Sequence, residues 1–110
     1  MFALLQVLVL CAAADAAPSY TVYVRELSAP ERATRVPLTG PETVLDAVAA
    51  LKRSPADLEQ MDLWIARPAA GGKVQLLRID WAAITRQGAA ATNYQVLAGD
   101  RLFLQARPVK

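Results

Sequence analysis

Two stretches near the carboxyl end decide the fold: residues 80–88, DWAAITRQG, and residues 92–104, TNYQVLAGDRLFL. The first stretch predicts a short helix whose two ends are both encoded locally. Asp80 can accept hydrogen bonds from the free amides of the first helical turn, and Gly88 can adopt the left-handed conformation that ends a helix. The second stretch predicts a polar link, a tight turn and a final apolar strand.

The turn before this last strand carries its own signals. Within residues 97–100, LAGD, Gly99 can supply a positive φ at no steric cost, and the Asp100 carboxylate can bond nearby amides and hold the bend. Residues 102–104 then form a continuous apolar run, which is typical of a strand that is central in a sheet or covered on both faces. We therefore expect the last strand in the middle of the sheet.

Hydrophobic patterning predicts four more strands upstream of this one. Strict alternation over residues 20–25 indicates a half-buried strand, with Tyr20 on the buried face and Tyr23 on the opposite face. Pro37 lacks an amide donor, so the second strand should lie at an edge of the sheet or end early. The five predicted strands cover residues 20–25, 34–38, 63–67, 74–79 and 102–104.

Residues 43–53 predict the main helix. Thr43 followed by Asp46 resembles a capping box with aspartate in place of the usual glutamate. Apolar residues then recur at helical spacing and form one stripe. Because the residue before a proline is driven out of the helical region, Ser54-Pro55 should stop the helix near Arg53.

The order strand, strand, helix, strand, strand, short helix, strand predicts an α+β protein with a mixed sheet of about five strands. The sheet would pack on one main helix, with a short second helix nearby. This order is that of a β-grasp, or ubiquitin-like, roll. The pattern alone leaves other α+β rolls open.

Composition limits the classes of function. The chain has 110 residues, of which 55% are hydrophobic and 20% charged, so it fits one globular domain. Its net charge of +2 comes from cations that alternate with acids, and no basic run predicts nucleic-acid binding.

The chain has no histidine, and its one cysteine is Cys11. These counts exclude a metal cluster, a Cys-His dyad and an internal disulfide. No glycine-rich phosphate loop is present either, so an enzyme is disfavoured and no cofactor is predicted.

Residues 2–14 form a nearly continuous apolar run, which predicts a signal peptide over residues 1–17 and a folded domain over residues 18–110. The run is shorter than the roughly 20 residues of a membrane-spanning helix, so no integral span is expected. Residues 12–17 offer Ala-x-Ala cleavage options, although no lysine or arginine precedes the apolar core. The alternative is that residues 4–13 form a buried helix or strand of a domain that begins upstream.

Three segments carry a resemblance to a known family: residues 43–48, TVLDAV, the strand that ends in Arg67, and residues 80–104, which include Asn93-Tyr94 and the sequence AGDR. In their order and spacing they resemble the soluble-ligand-binding β-grasp (SLBB) domains of the bacterial polysaccharide biosynthesis and export protein family. The resemblance covers about residues 20–105.

The resemblance implies a non-catalytic binding module that contacts a polysaccharide or export-machinery proteins in the cell envelope. Together with the predicted signal peptide, it implies a periplasmic or outer-membrane-associated location. Two departures from the family concern residues 26–32, where members often have a Gly-Val-like element and a Pro-Gly turn, and Ala98, where they often have proline. The export domain that usually precedes these modules is absent from this sequence, so the chain is not expected to form a whole translocation channel.

Sugar binding needs planar apolar faces for stacking and planar polar groups for paired hydrogen bonds. The candidate ligand-binding residues are Trp64, Arg67, Asn93, Tyr94 and Arg101. Four of them have a simpler interpretation: core or rim packing for Trp64, turn geometry for Asn93, and solvated strand ends for Arg67 and Arg101. A second class of function also remains open, namely a protein–protein adaptor, or self-association, through a sheet edge or the exposed sheet face.

Overall fold

The computed structural model describes residues 17–108, which form a small α+β domain with one mixed five-stranded sheet. The predicted signal peptide and Cys11 lie outside the described residues, except for Ala17. The elements are β1 (Ser19–Arg25), β2 (Arg32–Pro37), α1 (Val44–Ala49), α2 (Pro55–Glu59), β3 (Met61–Pro68), a 3-10 turn (Ala70–Gly72), β4 (Val74–Ile79), α3 (Trp81–Gln87) and β5 (Arg101–Ala106).

The sheet has the strand order β2-β1-β5-β3-β4. Strand β5 pairs in parallel with β1 and antiparallel with β3, and the two outer pairs, β1–β2 and β3–β4, are antiparallel. This confirms the prediction that the last strand lies in the middle. The burial of that strand follows from its position, since Leu102 and Leu104 are both 0% exposed.

The edge position predicted for the second strand is confirmed, because β2 pairs only with β1 and ends at Pro37. The alternation predicted for β1 is also confirmed, with Tyr20, Val22 and Val24 buried and their neighbours half-buried. The missing amide of Pro37 would leave a gap in a central ladder, whereas an edge strand tolerates it.

One face of the sheet carries the hydrophobic core. The helices and the loop before β5 supply its other side, chiefly through Val44, Val48 and Val96. The sheet side of the core consists of Tyr20, Val22, Val24, Met61, Leu63, Ile65, Ile79, Leu102 and Leu104. Among residues 17–108, the helices cover only this face of the sheet.

The main helix is shorter than predicted. It covers Val44–Ala49 rather than residues 43–53, although its amino end is as expected, with the Thr43 amide 3.0 Å from Asp46 Oδ2. The chain tightens after Ala49, where the amide of Lys52 donates to the Ala49 carbonyl at 3.2 Å. Lys52 then has a positive φ of 55°, which no helix interior allows.

Ser54-Pro55, expected only to stop a helix, begins another one. Ser54 Oγ accepts a hydrogen bond from the Asp57 amide at 3.2 Å, and Pro55 occupies the first helical position of α2, where its missing amide costs nothing. The signal was present in the sequence, because serine before proline is a common helix start. Helix α2 contributes the buried Leu58 to the core.

Helix α3 agrees with prediction at both ends. Asp80 Oδ1 accepts from the Ala83 amide at 3.0 Å, and Gly88 has a φ of 64° in the left-handed region. Among residues 17–108, no helix has the length and apolar character needed to cross a bilayer.

Replacing Leu102 by alanine should cost about 2–5 kcal/mol of unfolding free energy, because the side chain is 0% exposed and the packed sheet and helices cannot close the cavity. Leu27→Ala is the matched control, since Leu27 is 62% exposed. Urea unfolding followed by circular dichroism measures both. Equal losses in the two variants would contradict the central position of β5.

Candidate functional site

The sheet face opposite the core, here called the open face, carries an aromatic row. Residues Tyr23, Phe103 and Trp64 lie opposite one another on β1, β5 and β3. The rings of Tyr23 and Phe103 are stacked with centroids 4.7 Å apart and planes 12° apart, and those of Trp64 and Phe103 are stacked at 5.2 Å and 10°. Each such pair contributes about 0.5–1.5 kcal/mol beyond the area it buries.

Phe103 is the enclosed member of the row. Its two ring faces are covered by Tyr23 and Trp64, and the guanidinium carbon of Arg25 lies 4.8 Å from its centroid. Trp64 is a terminal member, so a ring stacks on only one of its faces. Its other face, turned toward β4 and here called the free face, stacks on no ring among residues 17–108, and its neighbour on β4 is Arg78.

This free face borders a cleft of about 860 Å³, here called the Trp64 cleft. The cleft forms because β3 extends past β4: the last pair of the two strands is Leu63 with Ile79, and Met61 and Asp62 project beyond it. The second tryptophan, Trp81, lines the same cleft from α3. Both tryptophans of the chain therefore line one cleft, Trp64 from the open face and Trp81 from the helix that packs on the core.

Charged side chains line the Trp64 cleft, and several neutralise one another. Arg86 forms an ion pair with Glu59, and Arg107 lies 3.8 Å from Asp62. Arg78 also lines the cleft and lies opposite Trp64 in the sheet. Among residues 17–108, Arg78 has no carboxylate within ion-pair distance.

Arg67, one of the predicted ligand-binding residues, makes a paired contact with Asp100 instead of facing solvent. Its Nε donates to Asp100 Oδ1 at 3.0 Å, and a terminal nitrogen donates to Asp100 Oδ2 at 2.8 Å and to the Gln95 carbonyl at 2.9 Å. The pKa of Arg67 is raised, first by the hydrogen bond to Asp100. This guanidinium positions the chain before β5.

Asn93 and Tyr94 connect the same loop to the start of α1. Asn93 Oδ1 accepts from the Leu45 amide at 2.9 Å, and the Tyr94 carbonyl accepts from the Val44 amide at 2.9 Å. The Tyr94 ring packs against the core. Hydrogen bonds to the free amides of a helix start stabilise that helix.

The five predicted site residues therefore fall into two groups. Trp64 and Arg101 lie on the open face, where Arg101 is exposed and sits opposite Ala66 and Thr21. Arg67, Asn93 and Tyr94 lie at the loop before β5, with polar groups bonded inside the domain. Ligand binding by any of the five remains a prediction. Of the five, Trp64 and Arg101 are the ones whose side chains lie on the open face.

Phe103 was not identified from the sequence as an open-face residue. The apolar run of residues 102–104 conceals its alternation, because Phe103 is apolar like its buried neighbours Leu102 and Leu104. The partnership of Arg67 with Asp100 was also missed. No local pattern signals a contact between residues 33 positions apart.

Two groups near the amino end of α1 have shifted pKa values. Burial raises the pKa of Tyr20, and the negative charges of Glu42 and Asp46 raise it further. Hydrogen bonds from the amide and hydroxyl of Thr39 lower the pKa of Glu42, because they stabilise its ionised form.

Neither a scan against protein-family models nor a search of curated proteins finds a match for this chain. Within the described part of the chain, no group of three or more Cys, Asp or Glu side chains is arranged to hold a metal ion. The geometry of the open face and the Trp64 cleft is therefore the basis for a functional proposal.

The raised pKa of Tyr20 predicts a loss of stability in alkali. The neutral phenol is favoured in the folded state, so its contribution is complete below the unfolded pKa of about 10 and is lost as the pH rises above it. Tyr20→Phe should lose less stability than the wild type between about pH 9 and 11. Urea unfolding at each pH measures this.

The control for this experiment is Leu27→Ala, which changes an exposed side chain without a titratable group, so its alkaline loss should equal that of the wild type. Identical pH profiles for the wild type and Tyr20→Phe would refute the assignment to Tyr20.

Proposed function

We propose that the domain is a β-grasp module that binds a glycan without chemical conversion, in the manner of polysaccharide-export binding domains. The strand order β2-β1-β5-β3-β4 and the parallel central pair support the β-grasp assignment, since a β-grasp sheet is mixed and curls over one main helix. The resemblance over about residues 20–105 supports the same assignment.

The observation that carries the glycan proposal is the free face of Trp64 at the edge of a cleft of about 860 Å³. A sugar ring presents an apolar face that stacks on an aromatic ring, and its hydroxyls accept and donate hydrogen bonds to planar polar groups. Arg78 and Asp62 line the cleft and supply such groups. Ligand sites commonly combine a few such polar groups with an apolar wall.

The binding role we propose is non-catalytic. The chain contains no histidine to act as a base, and its one cysteine, Cys11, lies in the predicted leader. The same leader supports a place in the periplasm or at the outer membrane, where an exported glycan would meet the module. Export-machinery proteins are the corresponding protein partners.

A second candidate, the protein–protein adaptor, is favoured by one observation. Strand β4 is an edge strand and exposes two large apolar side chains, Val74 at 57% and Leu76 at 70%. Exposed apolar residues on an edge strand favour pairing with another chain. Light scattering over a range of protein concentrations distinguishes this candidate, because self-association raises the mass without any glycan.

Replacing Trp64 by alanine should weaken glycan binding by about tenfold or more, which corresponds to about 1.4 kcal/mol. The substitution removes the stacking surface and leaves Trp81 as a fluorescent reporter in the cleft. Titration of the purified domain with neutral and acidic oligosaccharides, followed by tryptophan fluorescence and calorimetry, measures the change.

The matched control is Tyr23→Ala, at the opposite end of the aromatic row. It loses a stacked pair with Phe103 as Trp64→Ala does, but it does not line the cleft. A flat response of the wild-type domain to every glycan would rule out the glycan proposal. Equal weakening by the two variants would contradict the placement of the binding site at Trp64.

A further inference from the structure

Three arginines on the open face have no carboxylate partner among residues 17–108: Arg35, Arg78 and Arg101. The ion pairs in this part of the chain involve other cations, namely Arg25, Arg53, Arg67, Arg86 and Arg107. Arg32, Lys52 and Lys73 also make no ion pair in this part of the chain, so the open face holds three of its six unpaired cations.

The pairing register puts these arginines in a defined arrangement. Arg35 and Arg101 both lie opposite Thr21, on the two strands that flank β1, so their backbones are about 10 Å apart, or two strand spacings. Arg101 also lies opposite Ala66 of β3. Trp64 lies two residues before Ala66 on the same face of β3. The neighbour of Trp64 on β4 is Arg78.

The three guanidinium groups thus extend from the Trp64 cleft across the sheet to its β2 edge. Arg78 borders the cleft, Arg101 lies on the central strand, and Arg35 lies on the edge strand. Guanidinium groups bind planar carboxylates through two parallel hydrogen bonds and stay charged at every physiological pH. A linear ligand with repeated carboxylates matches this arrangement.

We infer that the glycan bound at this face is acidic and carries carboxylates, with one sugar ring on Trp64 and its carboxylates on Arg78, Arg101 and Arg35. This inference rests on the proposed glycan-binding function and adds the class of sugar. The carboxylates of the ligand supply the negative partners that these three arginines lack among residues 17–108.

A single-stranded nucleic acid would also be attracted by arginines and aromatic rings, but the aromatic row does not suit it. Nucleic-acid platforms stack successive bases on successive ring faces. In this row the three rings stack on one another, and Phe103 is covered on both faces. The one free face of Trp64 can stack on a single sugar ring, but it cannot stack on a run of bases.

The test compares a galacturonic acid hexamer with the same hexamer after methyl esterification, which removes the charges and keeps the sugar rings. Calorimetry with the full folded domain should show at least tenfold tighter binding of the acidic form at about 0.05 M NaCl. The difference should shrink severalfold at about 0.5 M NaCl, because salt screens exposed charges.

Arg78→Gln and Arg101→Gln should each weaken binding of the acidic hexamer severalfold and leave the esterified hexamer unchanged. Arg53→Gln is the control, since Arg53 follows α1, pairs with Glu26 and does not line the Trp64 cleft. Thermal unfolding of each variant checks that the fold persists.

Equal affinity for the acidic and esterified hexamers would overturn this inference and leave the glycan proposal standing. Binding of neither hexamer would overturn this inference, and a flat response to the neutral oligosaccharides as well would overturn the proposed function. Tighter binding of an oligodeoxythymidylate than of the acidic hexamer would overturn the inference in favour of a nucleic-acid ligand.

Discussion

The buried carboxylate of Asp100 is the constraint on which the rest of the structure depends. Its side chain is 0% exposed, and three donors satisfy it: Arg67 Nε at 3.0 Å, an Arg67 terminal nitrogen at 2.8 Å and the Leu97 amide at 2.8 Å. Its backbone carbonyl accepts from the Thr21 amide at 3.0 Å. A buried charge without such partners would cost several kcal/mol, so the loop, β3 and β1 are held together at this residue.

The arrangement of side chains on the open face depends on the same contact, because Asp100 directly precedes β5. Fixing Asp100 places Arg101 opposite Thr21, and Phe103 then lies between Tyr23 and Trp64. A slip of one residue would turn Phe103 into the core and its leucine neighbours toward solvent, since successive side chains of a strand point to opposite faces. The aromatic row and the free face of Trp64 thus depend on a bond made on the other side of the sheet.

Local chemistry made much of the fold predictable. Asp80 and Gly88 encode both ends of α3, the alternation around Tyr20 encodes the faces of β1, and Pro37 marks an edge strand. The length of α1 was not predictable in this way, because the left-handed conformation of Lys52 violates the usual preference of its residue type.

The candidate site was also predictable only in part, where local alternation decides which way a side chain faces. Alternation predicts that Trp64 faces away from Leu63 and Ile65, which the structure confirms. Which residues stand beside Trp64 depends on strand register, and a single sequence does not specify that across 39 positions to Phe103. The role of Arg67 likewise depends on a partner brought close only by the complete sheet.

A double-mutant cycle on Arg67 and Asp100 tests this account most directly, with Arg67→Met, Asp100→Asn and the pair of changes studied by urea unfolding. Each single change should cost about 3–5 kcal/mol of unfolding free energy, because it leaves the other partner buried without its ion pair. The double variant should therefore lose much less than the sum of the two single losses. Additive losses of below about 1 kcal/mol each, as an exposed ion pair would give, would contradict the central role of this contact.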